Sequence, residues 1–348
     1  MKKQYIFLII ILVFHVVWGQ DYHFSFFNET ALNLNPANAG AFSGDQRGYV
    51  GYRNQWKSVT DAYVTYYASF DAGIAKKTAQ TGFLALGGYL ISDKAGSSNY
   101  KTFKLNFSVA YHVILTQNSI LSAGLSGSYF QQSFDQTGLF WHNQFTGNGF
   151  DASLPSGENI ISERKSHGDV SAGMLYSFSS NETSMASNDG VKMNVGITYQ
   201  HINRPDISFT SLDAKKLYGK LLMHARAQIG LFYTNTAIIP QLMTAFQGPF
   251  REITLGLGAR YMLKEQSHYT GFVKESAITF GGYFRVGDAV NPYMLFEIGS
   301  VAFGLVYDIN VSQLSKASNG RGAFEIMLQY INPNPFKYRR SAANNSFF

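Results

Sequence analysis

The chain of 348 residues contains no cysteine. Disulfides and thiolate metal sites are therefore excluded. Charge is sparse: Asp, Glu, Lys and Arg make up 14% of the residues, against roughly 25% in ordinary soluble domains. Proline is scarce, at 8 residues. Beyond the first twenty residues no apolar run reaches the ~18 residues of a membrane-crossing helix. Mean hydropathy is −0.09, which argues against a helical membrane protein. Catalytic signatures are missing too. The chain has no Walker loop, no Gly-x-Ser-x-Gly elbow and no His-Glu-x-x-His. The histidines, His15, His23, His112, His142, His167, His201, His224 and His268, do not pair at metal-ligand spacing. No catalytic residue, metal or cofactor is expected.

What the chain does have is aromatic residues and glycine: 29 Phe, 22 Tyr and 33 Gly. With few charges, this composition suits a β protein that shows apolar surface to lipid. A large soluble β protein is the alternative. The opening MKKQYIFLIIILVFHVVWGQ has a charged start, an apolar centre and small Gly19 before Gln20. That is the form of a signal peptide cut near Gly19–Gln20, and its apolar run is short for an anchor of roughly 20 residues. Removing it lowers the formal charge of +6 by two. The small remaining excess is spread along the chain and does not indicate nucleic acid.

The stretch KTFKLNFSVAYHVIL, residues 101–115, alternates with period two. Phe103, Leu105, Phe107, Val109, Tyr111 and Val113 fall on one face, and Thr102, Lys104, Asn106, Ser108 and His112 on the other. Similar patterns predict fourteen strands: 46–56, 61–74, 81–92, 100–115, 118–134, 168–179, 190–202, 219–234, 237–247, 250–263, 274–286, 290–299, 300–310 and 321–332. Most exceed the five or six residues usual in globular strands and suit a tilted bilayer crossing of about 9–11. Tyr111, Tyr129, Tyr176, Tyr199, Tyr233, Tyr261 and Tyr330 fall near strand ends on the oily face, as in an interfacial girdle. The expected fold is therefore all-β: a transmembrane antiparallel barrel with its oily face outward. Its organisation is a signal peptide (1–19), an irregular N-terminal segment suited to plug the lumen (20–45), the barrel (46–332) and a tail (333–348).

Arg53, Arg260, Arg285, Glu297, Asp308 and Glu325 project to the lumen in this register, where charges must be paired or hydrated. Closure places the first strand beside the last, so Arg53 can meet Glu325. His112 and His224 read as hydrogen-bonded interior histidines. Ser318-Asn319-Gly320 reads as a turn between the last two strands rather than a lipase-type motif. The long connection 135–167 carries Phe140, Trp141, Phe145 and Phe150, a sticky surface for a partner or a lid over the barrel mouth.

Certain residues carry more than periodicity. Leu34-Asn35-Pro36-Ala37-Asn38-Ala39-Gly40, then Tyr52-Arg53-Asn54-Gln55-Trp56, then Tyr63, Thr65, Tyr66, Ser69 and Asp71 form the opening. The closing run VYDINVSQLSKASNGRGAFEIMLQY contains Asp308 and Glu325. Together these resemble the PorP/SprF family of Bacteroidota. The tail departs from the family pattern, with Asn332-Pro333-Asn334-Pro335 where many members have a Cys-Pro pair. The resemblance implies an outer-membrane barrel of the type IX secretion system. Its implied partners are periplasmic ring and motor proteins, large secreted adhesins and outer-membrane lipid. Asn35, Pro36, Gly40, Arg53, Asn54, Gln55, Trp56, Asp71, Asp308 and Glu325 are its motif residues here. A passive or substrate-specific pore is the competing expectation; a hydrolase lacks any candidate residue.

Overall fold

A computed structural model describes residues 23–57, 61–76, 79–96, 100–135, 139–147, 149–157, 163–180, 190–209, 215–264, 276–312 and 315–332. The expected signal peptide and tail lie outside these residues. So do most of the connections 180–190 and 265–275.

Fourteen antiparallel strands close into one barrel, each hydrogen-bonded to its sequence neighbours and the first to the last. They are β1 Gln46–Gln55, β2 Tyr63–Ile74, β3 Gly82–Ala95, β4 Tyr100–Thr116, β5 Ser119–Ser133, β6 Arg164–Ser179, β7 Val191–Gln200, β8 Lys220–Gly230, β9 Thr236–Gln247, β10 Phe250–Lys264, β11 Ser276–Arg285, β12 Ala289–Ile298, β13 Val301–Asn310 and β14 Arg321–Asn332. Number and order match the sequence expectation, with ends differing by a few residues. The seam is continuous, from Gln46 opposite Asn332 to Gln55 opposite Ala323. The long connections 134–163 and 201–219 emerge at the end opposite the two barrel termini.

The oily face points outward. Along β4, Phe107 is 66% exposed while His112, on the alternate face, is 1% exposed. In a soluble sandwich these values would be reversed. Six of the seven girdle tyrosines lie on the outer side, most of them half exposed; Tyr233 lies past the end of β8, in the turn before β9, at φ +61° and 97% exposed. One outer row alternates large and small across the pairing: Tyr330, Gly48, Phe70, Gly88, Phe107, Gly127. A ring closes over one of these glycines, Gly88, where a Cβ would stand 3.6 Å from Phe107; at Gly48 and Gly127 a Cβ would meet nothing within 4 Å. A shallow apolar trough of about 490 Å³ crosses Gly48, Ala68 and Gly88 on this outer face. It faces hydrocarbon, not the lumen.

Fourteen strands enclose more space than their own side chains fill. The remainder is taken by residues 24–42, which lie inside the barrel. Phe24, Phe26, Phe27, Leu32, Leu34 and Ala39 pack into one apolar cluster with inward Tyr49, Tyr67, Tyr89, Tyr283 and Tyr293. A single helical turn, Ala31–Leu34, and a 3₁₀ turn, Pro36–Asn38, shape this segment. Proline suits the second turn, because it opens a helical turn where no backbone donor is needed. Asn35 caps it, its side chain accepting the Ala37 amide.

Candidate functional site

The inner segment meets the barrel through two charged clusters and, between them, a row of glycines. Near the long-loop end, Arg53 is 1% exposed and stands between two carboxylates. Its Nη2 lies 2.8 Å from Asp308 Oδ2 and its Nη1 3.0 Å from Glu325 Oε2. The three residues sit on β1, β13 and β14, so the cluster spans the seam. Ser25 completes it. Its hydroxyl donates to Asp308 Oδ1 at 2.6 Å, and its amide donates to Glu325 at 2.9 Å. Arg285 approaches the same group, 3.7 Å from Asp308 and 3.4 Å from Glu252. Removing one partner from such a group strands a buried charge.

At the termini end the second cluster centres on Asp71. Arg47 grips it with two bonds, 2.9 and 2.8 Å, and the Gly40 amide donates to it at 2.8 Å. Gly40 needs its hydrogen side chain twice over. Its φ is +72°, and a Cβ would stand 2.5 Å from that of Ala85. Lys76, just beyond β2, donates to the carbonyls of Gly40, Phe42 and Gly44, and its ammonium lies 4.8 Å from the Phe42 ring centre. Burial, reinforced by the charge of nearby Arg47, lowers the Lys76 ammonium to about 8.

Between the clusters, glycines on adjoining strands make room for the segment. A Cβ at Gly124 would meet the Ala37 nitrogen at 2.4 Å; one at Gly173 would meet Asn35 Oδ1 at 2.1 Å. Gly196 gives way to both Asn35 and His224. The Asn35 amide donates to the Met174 carbonyl at 2.9 Å and lies 3.3 Å from His224 Nε2. His112 holds Ser122 at 2.6 Å and the Ala39 carbonyl at 2.7 Å. Both histidines serve packing and hydrogen bonding.

The motif residues thus divide. Asn35, Pro36, Gly40, Arg53, Asp71, Asp308 and Glu325 meet in the lumen or at its seam. Asn54 does not: its side chain bonds Tyr52 Oη at 2.9 Å on the outer face. Gln55 ends β1 opposite Ala323. Trp56 turns the chain at φ +60°, donates to the Gly322 carbonyl at 3.0 Å and packs edge-on to Tyr63. Arg260 pairs with Glu297 at 2.8 Å. Ser318 lies in the last turn of a helix of four residues ahead of the Asn319-Gly320 turn, both of which have positive φ.

The aromatic loop is a separate feature. Phe140 and Phe145 flank Phe150, with ring centres 4.6 and 5.5 Å away, and all three are exposed. Trp141 is half-buried beside them. Gln144, buried below, accepts from the Trp141 amide and donates to the Leu154 carbonyl at 3.0 Å. The loop holds this shape by its own bonds.

Several partners escaped sequence reasoning: Ser25, Arg47, Lys76, the inward glycines, Arg226 with Glu29 at 3.1 Å, and Asp169 with His201 at 3.0 Å and Lys104 at 3.6 Å. Glycine at an inward position of three consecutive strands was a usable signal. Among the described residues no group of His, Asp and Glu is placed to hold a metal.

No curated protein sequence matches the chain. Solved structures similar to it include the Ralstonia pickettii toluene transporter TbuX, with 9% identity and a TM-score of 0.49 over 87% of this chain and 94% of that one. A Pseudomonas aeruginosa FadL homologue follows at 10% identity and TM-score 0.43, covering 85% and 92%. The β domain of the Bordetella autotransporter BrkA has 10% identity and TM-score 0.35, covering 83% and 99%. In sequence, the type IX secretion system membrane protein PorP/SprF family matches residues 16–330, and the chain, an outer-membrane β-barrel, belongs to that family.

Proposed function

We propose that this barrel is a non-enzymatic partner in type IX protein secretion, assisting export or surface anchoring of large adhesins, with gliding motility as a setting. It acts through protein–protein contacts with periplasmic ring and motor proteins on one side and secreted cargo on the other. The observation that carries this is the occupied lumen. Residues 24–42 fill it with an apolar cluster, between ion pairs of the barrel wall that stand at both ends of the segment, which suits an anchoring or docking body better than an open conduit. The exposed rings of Phe140, Phe145 and Phe150 supply a contact surface on the long-loop side.

The test is the surface and culture-medium proteome of a deletion strain against its parent. Loss of one or a few large surface proteins is expected. Loss of all type IX cargo would make the barrel a core component of the machine. An unchanged proteome would overturn the proposal and favour a solute pore, which planar-bilayer conductance would then detect.

A further inference from the structure

The barrel ladder closes without the inner segment. Among the described residues, main-chain bonds between the segment and the strands occur only at Asp45, where the segment ends. Upstream of that point the barrel holds the segment through its own side chains, and many of them bind main-chain groups.

Glu325 accepts the amides of Ser25 and Phe26, at 2.9 and 3.3 Å, and Asp71 accepts that of Gly40. Carbonyls of the segment are bound as well. Gln200 donates to that of Asn33 at 2.8 Å, Arg47 to that of Asn38 at 3.1 Å, and Lys76 to three more. Such contacts hold any peptide main chain; side-chain pockets then select its sequence. Pockets are present. Phe24, Phe26 and Phe27 each pack against an inward tyrosine, at ring-centre distances of 5.2 to 5.8 Å. The glycine row admits the Pro36–Ala37 backbone at Gly124 and the Asn35 side chain at Gly173 and Gly196.

We propose that the lumen is a peptide-binding site, filled in cis by residues 24–42, which accepts in trans a segment of another chain that takes the same turn-containing form. The ligand has an aromatic–Ser–aromatic–aromatic head, as in Phe24 to Phe27, and an Asn-Pro-Ala-Asn-Ala-Gly foot. This goes beyond a role in secretion and does not depend on it.

The test severs the chain after folding. A protease site is placed at Ser43 in the full protein, the purified barrel is cut, and a fluorescent peptide of residues 23–44 is added. Saturable uptake is expected, at least tenfold weaker for a peptide carrying Gly40→Leu or Ser25→Lys. Uptake of a scrambled peptide to the same extent would overturn the proposal, as would a cut barrel that keeps its own fragment and admits no label. If cutting unfolds the barrel, a chain lacking residues 23–44 is refolded with each peptide in turn. Refolding with the native peptide alone supports the site. Refolding with none or with any peptide refutes it.

Discussion

Arg53 and Glu325 lie directly opposite each other across the seam between the first and last strands, with Nη1 and Oε2 3.0 Å apart. One ion pair therefore ties the ends of the sheet together, and Ser25 bonds to both partners. Arg53→Ala strips Glu325 of its counter-charge and leaves Asp308 with Arg285 alone, 3.7 Å away. The expected loss is about 3–5 kcal/mol, read as a lower melting temperature in detergent. Glu325→Gln leaves Arg53 paired with Asp308 and should cost less. Equal losses would show that Asp308 adds nothing.

Gly173→Ala should destabilise the barrel by about 1–3 kcal/mol, the usual range for overpacking. The new methyl group would collide with Asn35 Oδ1. In a chain lacking residues 23–44 the same change should cost much less, since only Thr198 Oγ1, 3.0 Å from the new carbon, then remains in the way. An undiminished cost would place the strain in the sheet and not against the segment.

Lys76 should titrate near pH 8, well below its ordinary 10.5. Between those values the folded chain binds fewer protons than the unfolded one, so stability rises with pH across that window. Below pH 8 both states are charged and the penalty of burial is fully present. An NMR titration of isotope-labelled lysine, assigned with Lys76→Arg, reads the midpoint. A midpoint at or above 10.5 would mean that the three carbonyls outweigh burial.

Replacing Phe140, Phe145 and Phe150 together with serine should leave the melting point nearly unchanged, since exposed positions usually matter by about 0.5 kcal/mol or less. Capture of secreted partner protein should fall sharply. A large drop in melting temperature would show instead that the rings act as a lid.

Strand number, order and facing were legible because alternation is a local property, plain in stretches such as Lys101 to Leu115. The pairing of Arg53 with Glu325 was legible too, because closure fixes which strands meet. What could not be read was the three-dimensional course of residues 24–42. Their contacts are set by partners up to 300 residues away, as between Ser25 and Glu325, and no periodicity records such a separation. Asn54 and Trp56 show a second limit. They belong to one contiguous motif with Arg53, yet period two sends Asn54 outward, and Trp56 lies past the strand's end.

The path of the inner segment constrains how the barrel is built. Ser25 is held near the long-loop end, while Asp45 hands the chain to β1 at the opposite end. The segment therefore runs lengthwise down the interior and joins the wall at its foot. A finished barrel can exchange this stretch only end-on, past its own ion pairs. Assembly has a simpler order available: the open sheet curls with its earliest residues already lying against it, and the meeting of β1 with β14 is what encloses them.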